Sequence, residues 1–367
     1  MYKVPLMRPS LPDRDEFVKV IYDLWETKML SNFSKYSKLF ESSSKEYFNS
    51  DRNFLSVSSC DIGLTLILKS FNFPAGSEVL VPSFTFNSTI NSIMWNNLKP
   101  VFVDINPETL NVEWDSFTDK INDKTVAIMG VHIFGNPSRV EDLEMIAAHN
   151  KLKLIFDAAH AYGSKYKGKH ICEYGDAGAY SFSGTKVITS GEGGLVYFKD
   201  KEYAEKFNLL RQYGFINDYN TKLLGLNGKI SEMHSALAQL SIKDVDSVIE
   251  KRERISKKYK NELKNCMFQK VEIGDTSTHK DFAILVENRN TISEGLESAG
   301  IQTKKYFFPN HYTDYYKEKY GIVSLPKTEH VFDKILCLPI FNDITDEQVD
   351  YVIENVNKLN RRTNGHI

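Results

Sequence analysis

A series of short apolar runs, separated by segments of helical period, most strongly limits what this chain can fold into. The runs end in small or polar residues and lie at residues 54–57, 78–81, 100–103, 126–129, 154–156, 178–181 and 195–198. Between two of them, Leu143, Ile146 and Ala147 recur at helical spacing. Such alternation is typical of a mostly parallel sheet that helices cover on both faces. It predicts an α/β fold.

The length of the chain predicts more than one domain. A chain of 367 residues is longer than a single hydrophobic core usually supports. Residues 244–263 have the pattern of a long charged helix, and the segments 282–286, 291–298 and 346–359 beyond it suggest a small α+β unit. We therefore expect a large domain with an N-terminal arm at residues 1–245 and a smaller C-terminal α+β domain at residues 246–367.

Composition excludes several classes of function. The net charge is −2 with acids and bases interspersed, so nothing suggests a nucleic-acid surface. No run approaches the ~18 apolar residues of a membrane span, and the amino terminus lacks the apolar core of a signal peptide. Cys60, Cys172, Cys266 and Cys337 lack paired spacing, which suits a reducing compartment and argues against structural zinc. We expect a cytoplasmic protein without a metal.

Lys186 is the residue that says most about chemistry. It lies in segment 180–194, which reads YSFSGTKVITSGEGG, between two apolar runs. Small neighbours leave room beside the amine, and a desolvated lysine has a lowered pKa that makes it available for a Schiff base. The alternative is a lysine at a strand end whose amine extends to solvent.

Asp157 ends a second informative segment, 151–161, which reads KLKLIFDAAHA. In an open α/β sheet, ligands bind beyond the carboxyl ends of the strands. Pyridoxal phosphate (PLP) needs a lysine for its aldehyde and a carboxylate for its pyridinium nitrogen. Lys186 and Asp157 match that requirement, although a helix N-cap or a turn would also explain an aspartate here.

Several strings in order resemble one family. Segments 157–161, 181–186 and 191–194, together with 76–86, 100–105 and 131–135, resemble the sugar-nucleotide aminotransferases of the DegT/DnrJ/StrS family. The resemblance extends along nearly the whole chain. It implies a PLP enzyme of the aspartate-aminotransferase fold (fold type I), with helices on both sides of the large-domain sheet.

The resemblance implies roles for particular residues. Lys186 would bind PLP covalently and act as acid and base, and Asp157 would keep the pyridine nitrogen protonated. His160 would lie near the cofactor ring, unless it is a hydrogen-bonded structural histidine. Phe86 would stack on the ring, although such a residue is often core, and Ser181 would bind the phosphate.

Other implied contacts involve a second subunit and an altered phosphate segment. Asn227 would reach the phosphate in the neighbouring subunit, which implies a homodimer with shared active sites. Where the family usually has Gly-Thr, this chain has Ser59, Cys60 and Asp61 at the start of a helix, whose free N–H groups suit an anion. Either Asp61 caps the helix and faces away, or Ser59 does part of the work.

The substrate class also comes from the resemblance. The family transfers an amino group, commonly from L-glutamate, to a keto sugar on a nucleoside diphosphate. The segments at 9–12 and 24–28 look most like members that aminate C4 of dTDP-4-keto-6-deoxyglucose, for O-antigen or another surface glycan. A dTDP-3-keto-6-deoxyhexose or a UDP- or GDP-linked 4-keto sugar is the alternative. Candidate substrate contacts are Lys229, Tyr306, Phe307, Phe308 and His311.

Three other functions stay open. A PLP-dependent sugar dehydratase shares the fold, but that branch has histidine in place of the lysine, so Lys186 argues against it. A non-catalytic homologue would fit the altered Cys60–Asp61 segment. A nucleotide-binding α/β enzyme without PLP would need a glycine-rich phosphate loop, and neither standard kind occurs in the sequence.

Overall fold

The computed structural model describes residues 2–217 and 219–364. In this part of the chain the strands are β1 (Asn53–Val57), β2 (Glu78–Pro82), β3 (Lys99–Val103), β4 (Thr125–Val131), β5 (Lys153–Asp157), β6 (Lys165–Tyr166), β7 (Lys169–His170), β8 (Ala177–Ser181), β9 (Gly194–Phe198), β10 (Met267–Phe268), β11 (Phe282–Leu285) and β12 (Ile335–Leu338).

The helices alternate with these strands. They are α1 (Arg14–Thr27), α2 (Lys35–Phe48), α3 (Cys60–Phe71), α4 (Asn87–Trp95), α5 (Asp115–Thr118), α6 (Val140–His149), α7 (Lys201–Leu210), α8 (Glu232–Ile242), α9 (Val245–Glu262), α10 (Arg289–Ser298), α11 (Asp314–Tyr320), α12 (Pro326–Lys334) and α13 (Asp346–Asn364). Short 3₁₀ turns occur at Ile133–Gly135, Ile171–Glu173 and Asn310–Tyr312. Among the described helices, none combines the length and the apolar character that a membrane span requires.

A seven-stranded sheet has the order β1-β9-β8-β5-β4-β2-β3. The pairs β8–β5, β5–β4, β4–β2 and β2–β3 are parallel, and β9 runs antiparallel to both of its neighbours. Each apolar run predicted from the sequence lies in one of these strands. The sheet is therefore mostly parallel, as predicted.

Helices cover both faces of this sheet. Successive side chains of a strand point to opposite faces, so neighbouring residues of one strand pack against different helices. In β5, Ile155 packs into the apolar cluster built on α3, α4 and α7. Leu154 and Phe156 pack on the other side, against Val140 and Leu143 of α6. Continuous apolar strands are what a sheet buried on both faces requires.

A second, smaller sheet follows the long helix α9. It has the order β10-β11-β12, and both of its pairs are antiparallel. Val248 and Ile249 of α9 pack against the core of the large sheet, whereas Ile255 and Tyr259 pack with α10, α13 and the small sheet. The predicted α/β class with an additional α+β unit is confirmed, and the boundary near residue 245 stays a prediction.

Candidate active site

The carboxyl ends of β4, β5 and β8 open into a cavity of about 380 Å³. This is the edge at which an open parallel sheet binds ligands. Most of the site residues predicted from the sequence line this cavity, namely Ser59, Cys60, Asp61, Phe86, Asp157, His160, Ser181, Lys186, Tyr306 and Phe307.

Asp157 is the last residue of β5 and is buried, with 6% of its surface exposed. Its Oδ2 accepts a hydrogen bond from the Thr89 hydroxyl at 2.6 Å, and its Oδ1 accepts one from the Ala159 N–H at 3.0 Å. Burial raises the pKa of the Asp157 carboxyl above its usual range, and these two bonds oppose the rise. A cationic group of a ligand beside this carboxylate would favour its charged form.

Lys186 lies in the loop between β8 and β9, with its side chain on the cavity wall. Within the described residues, its Nζ makes neither a hydrogen bond nor an ion pair. Burial lowers the pKa of the Lys186 amine, and the positive charge of Lys280 lowers it further. An unpaired lysine with a lowered pKa is the form in which a lysine acts as a nucleophile or a base.

His160 follows Asp157 by three positions and lines the same cavity. Its Nδ1 accepts a hydrogen bond from the Phe134 N–H at 3.2 Å, so the neutral ring carries its proton on Nε2. Burial, and then the charges of Lys186 and Lys280, hold the pKa of His160 well below its usual value. The ring is therefore a neutral donor near Lys186.

The amino end of α3 forms another part of the wall. Ser59 is the N-cap, and its hydroxyl accepts a hydrogen bond from the Ile62 N–H at 3.2 Å. Asp61 lines the cavity and accepts a hydrogen bond from the Ser88 hydroxyl at 2.8 Å, so the alternative in which Asp61 caps the helix and faces away is wrong. The Cys60 thiol points to the backbone oxygen of Ala179 at 3.6 Å.

The start of strand β9 packs closely against the amino end of α3. A Cβ on Gly194, at the start of β9, would lie 2.8 Å from the backbone nitrogen of Cys60. The glycine thus lets β9 approach the first turn of α3, whose first N–H groups have no partner within the helix backbone. Ser181, at the end of β8, lies on the same wall, and its hydroxyl accepts a weak bond from the Ser183 N–H at 3.4 Å.

Aromatic side chains form another part of the cavity wall. Phe86 is 58% exposed and packs edge-on against Phe307, with ring centroids 6.2 Å apart. Phe307 in turn lies nearly parallel to His160 at 6.0 Å. Tyr306 is also on the wall. These flat groups surround space in which a planar ring or a sugar would pack.

Two of the predicted substrate contacts lie elsewhere. Phe308 is 54% exposed and packs edge-on against Phe332, outside the cavity lining. His311 is buried, and its Nδ1 is hydrogen-bonded to the Ser83 hydroxyl at 2.6 Å. The ring of His311 therefore serves the packing of residues 310–312 on the strand end after β2.

Asn227 and Lys229 also lie away from this cavity. The Lys229 ammonium donates to the Asn227 side-chain oxygen at 2.8 Å and lies 4.2 Å from the centre of the Tyr213 ring. Neither residue lines the cavity of its own subunit. The expected contact of Asn227 with a neighbouring subunit stays a prediction.

Among the polar residues of the site that the sequence reasoning missed, three bear most on its chemistry. Thr89 holds the Asp157 carboxylate, and Lys280 and Asp281 form a buried ion pair on the cavity wall. Thr89 lies three positions after Phe86, within one helical turn, so the periodicity of α4 could have indicated it. A charged pair directly before the apolar strand β11 was the available signal for Lys280 and Asp281.

These features fit PLP. Lys186 has no partner among the described residues, which leaves its amine free for the cofactor's aldehyde. Asp157 is a buried carboxylate with a raised pKa, which a pyridinium N–H would stabilise in its charged form. The amino end of α3 offers N–H groups to a phosphate, although Asp61 places a second carboxylate nearby.

Comparisons with known proteins agree with this arrangement. A model of the DegT/DnrJ/EryC1/StrS aminotransferase family matches residues 12–357. The chain is 30% identical to the GDP-perosamine synthase of Escherichia coli O157:H7, over 98% of this chain and 99% of that protein. It is also 30% identical to the dTDP-4-amino-4,6-dideoxy-D-glucose transaminase of Escherichia coli, over 94% and 96% of the two chains.

A solved structure shows the same fold with a cofactor. The structure of NtdA from Bacillus subtilis with bound PMP is superimposed with a TM-score of 0.88 at 25% identity. The match covers 95% of this chain and 83% of that one.

Proposed function

Because the chain belongs to the PLP-dependent DegT/DnrJ/EryC1/StrS aminotransferase family, we propose that it transfers the amino group of L-glutamate to a nucleotide-linked keto-6-deoxy sugar. The observation that carries the proposal is the unpaired Lys186 amine, which shares one cavity with the buried Asp157 carboxylate. Among the described residues that line this cavity, the other lysine is Lys280, which is paired with Asp281.

In this proposal the chain's own residues divide the work. PLP, when bound, supplies an electron sink for moving an amino group between two carbon atoms. Lys186 would hold the cofactor and then carry the proton at the reacting carbon, which its lowered pKa permits. Asp157, kept in place by Thr89, would hold the pyridinium charge, and neutral His160 would donate from Nε2 toward the ring.

The phosphate would lie at the amino end of α3. Ser59 shapes this end as its N-cap, the backbone of Cys60 and Asp61 belongs to its first turn, and Ser181 adds a hydroxyl from the end of β8. The Asp61 carboxylate accepts a hydrogen bond from the Ser88 hydroxyl, which satisfies one of its acceptor sites and leaves its negative charge in place. Phe86 and Phe307 would contact the cofactor ring and the sugar, and would bound the space that these groups can occupy.

The acceptor we place first is dTDP-4-keto-6-deoxyglucose, aminated at C4. The named activities of the two similar proteins support an acceptor of this kind. One of them is named for a dTDP-linked amino sugar and the other for a GDP-linked amino sugar. A GDP-linked 4-keto-6-deoxy sugar is therefore the second candidate, ahead of a 3-keto sugar or a UDP-linked one. Tyr306 and Phe307 are the proposed contacts of the sugar within this cavity.

The first test is the visible absorbance of the purified protein with PLP, before and after addition of L-glutamate. We expect a visible band from lysine-bound PLP, which L-glutamate bleaches, and which a matching keto sugar restores. If the band appears and L-glutamate bleaches it, but no nucleotide-linked keto sugar restores it, the proposed sugar substrate is refuted. A protein without a band would refute the role of Lys186.

We further propose a homodimer in which Asn227 serves the cavity of the other subunit. Asn227 is exposed and outside its own cavity, and the same loop exposes the apolar side chains of Tyr219 and Leu224, at 85% and 81% of their surface. Exposed apolar residues of this size mark an interaction surface when they lie together.

A mixing experiment tests this shared site. Lys186→Ala and Asn227→Ala each remove activity in our proposal, so the two inactive proteins are unfolded and refolded together. If Asn227 reaches the other subunit, the mixed dimer has one site with both defects and one intact site, and activity returns. If Asn227 acts within its own subunit, both sites of every mixed dimer are damaged and no activity returns.

A further inference from the structure

Lys280 and Asp281 form an ion pair inside the cavity, and neither residue has yet been given a contact with the cofactor or the substrate. The Lys280 ammonium lies 2.9 Å from both carboxylate oxygens of Asp281. Both residues line the cavity that contains Lys186, yet only 6% of the surface of each residue is exposed. A buried ion pair is costly unless further hydrogen bonds satisfy its remaining donors and acceptors.

The pair has hydrogen-bonding capacity left over. An ammonium group has three N–H donors, and a carboxylate can accept about four hydrogen bonds. Within the described part of the chain, the Lys280 ammonium and the Asp281 carboxylate form hydrogen bonds only with each other. One donor of Lys280 and further acceptor sites of Asp281 are therefore available to a group in the cavity.

The backbone holds the pair in place. The Lys280 N–H donates to the Phe134 carbonyl at 2.9 Å, on the side of the large sheet. The buried guanidinium of Arg252 donates to the carbonyl oxygens of His279 and Lys280 at 3.1 and 3.2 Å. Groups held in this way lose little freedom when a ligand binds, which is what a specificity contact needs.

Charge and shape indicate which ligand group fits. Asp281 neutralises Lys280, so a carboxylate that approached the lysine would also meet the negative charge of Asp281. A hydroxyl group avoids this conflict, because its oxygen can accept a hydrogen bond from Lys280 while its O–H donates a hydrogen bond to Asp281. Tyr306 and Phe307 line the same cavity and offer the flat surface on which a sugar ring packs.

We propose that Lys280 and Asp281 bind a ring hydroxyl of the acceptor sugar and thereby select hydroxylated over deoxygenated sugars. The inference rests on the proposed function and adds a specificity-determining pair to it. A site that hydrogen-bonds a substrate hydroxyl discriminates strongly against the analogue without it, because the buried polar groups are then left unpaired.

The test compares the two half-reactions of a variant without the pair. In Lys280→Met with Asp281→Leu, both charges are removed together, so no buried charge is left unpaired. Lys280 lowers the pKa of the Lys186 amine and Asp281 raises it, so the two losses oppose each other. We therefore expect PLP binding and bleaching by L-glutamate to stay within a few-fold of wild type. We expect kcat/KM for the keto sugar to fall about tenfold to hundredfold, the range for a hydrogen bond to a charged group.

Deoxygenated analogues identify the contact. The probes are dTDP-4-keto-6-deoxyglucose, its GDP-linked counterpart, and the 2-deoxy and 3-deoxy analogues of whichever sugar wild type accepts. Wild type should lose about tenfold to hundredfold on one analogue, and the double variant should treat that analogue and the parent sugar alike. Lys258→Met with Asp350→Leu removes an ion pair between α9 and α13, outside the cavity lining, and should change neither half-reaction.

The outcomes separate this proposal from the broader one. An unchanged sugar reaction in the double variant overturns the pair proposal alone, and so does a glutamate half-reaction that falls as much as the sugar reaction. A wild type that bleaches with L-glutamate but accepts no nucleotide-linked keto sugar refutes the proposed function and this inference with it. Should the double variant fail to fold, Lys280→Gln with Asp281→Asn removes both charges at nearly the same size and must show a selective loss of the sugar reaction in the same direction.

Discussion

Thr89→Val tests how the site keeps Asp157 ready for a cation. The Thr89 hydroxyl donates to Asp157 Oδ2 at 2.6 Å inside the protein, and valine has the same shape without the donor. A hydrogen bond to a charged group contributes about 1.5–3 kcal/mol, which corresponds to a factor of about ten to a hundred in an equilibrium constant. We therefore expect Thr89→Val to bind PLP about tenfold to hundredfold more weakly at neutral pH.

The pH dependence of PLP binding should shift in a defined direction when Thr89 is replaced. The bond from Thr89 lowers the pKa of Asp157, whereas burial raises it, so removing the bond raises the pKa further. PLP binding should require the ionised carboxylate, and the fall of affinity on acidification should therefore begin at a higher pH in the variant than in wild type.

The assay is an absorbance titration of the apoprotein with PLP at a series of pH values. Thr89→Ser keeps a hydroxyl and should recover most of the affinity, and Thr118→Val removes an exposed hydroxyl elsewhere and should change nothing. An unchanged PLP affinity in Thr89→Val, or a fall of affinity that moves to lower pH, would refute the reasoning about Asp157.

Three further variants test other parts of the site. Lys186→Ala should abolish glutamate-dependent amination and the visible band of bound PLP, with circular dichroism unchanged; retained turnover would sink the assignment. Asp157→Asn should cut activity severely because an amide cannot hold the pyridinium charge, and a near-normal rate would show that the ring nitrogen lies elsewhere. Gly194→Ala should lower the melting temperature and PLP affinity, since its Cβ would lie 2.8 Å from the Cys60 nitrogen; a wild-type melting curve would contradict that crowding.

Local pattern alone indicated the strands, because a strand buried on both faces must be apolar along its length. The same reasoning placed Asp157 at the edge of the sheet where ligands bind, since this residue ends an apolar strand. The structure agrees with both, and it brings Lys186, which was singled out by its small neighbours, into the same cavity as Asp157. The family resemblance identified PLP as the cofactor, whereas the positions of Lys186 and Asp157 in the sequence were only compatible with it.

Tertiary structure decided which polar groups meet. Thr89 contacts Asp157 across 68 positions of the chain. Helical spacing from Phe86 can indicate that Thr89 faces the site, but it does not specify Asp157 as the partner. His311 looked like a substrate contact until the fold paired it with Ser83, 228 positions away. Lys280 and Asp281 enter the cavity only because the small sheet packs beside the large one. Periodicity determines the elements, because it depends on near neighbours, whereas the direction of a polar side chain depends on distant packing.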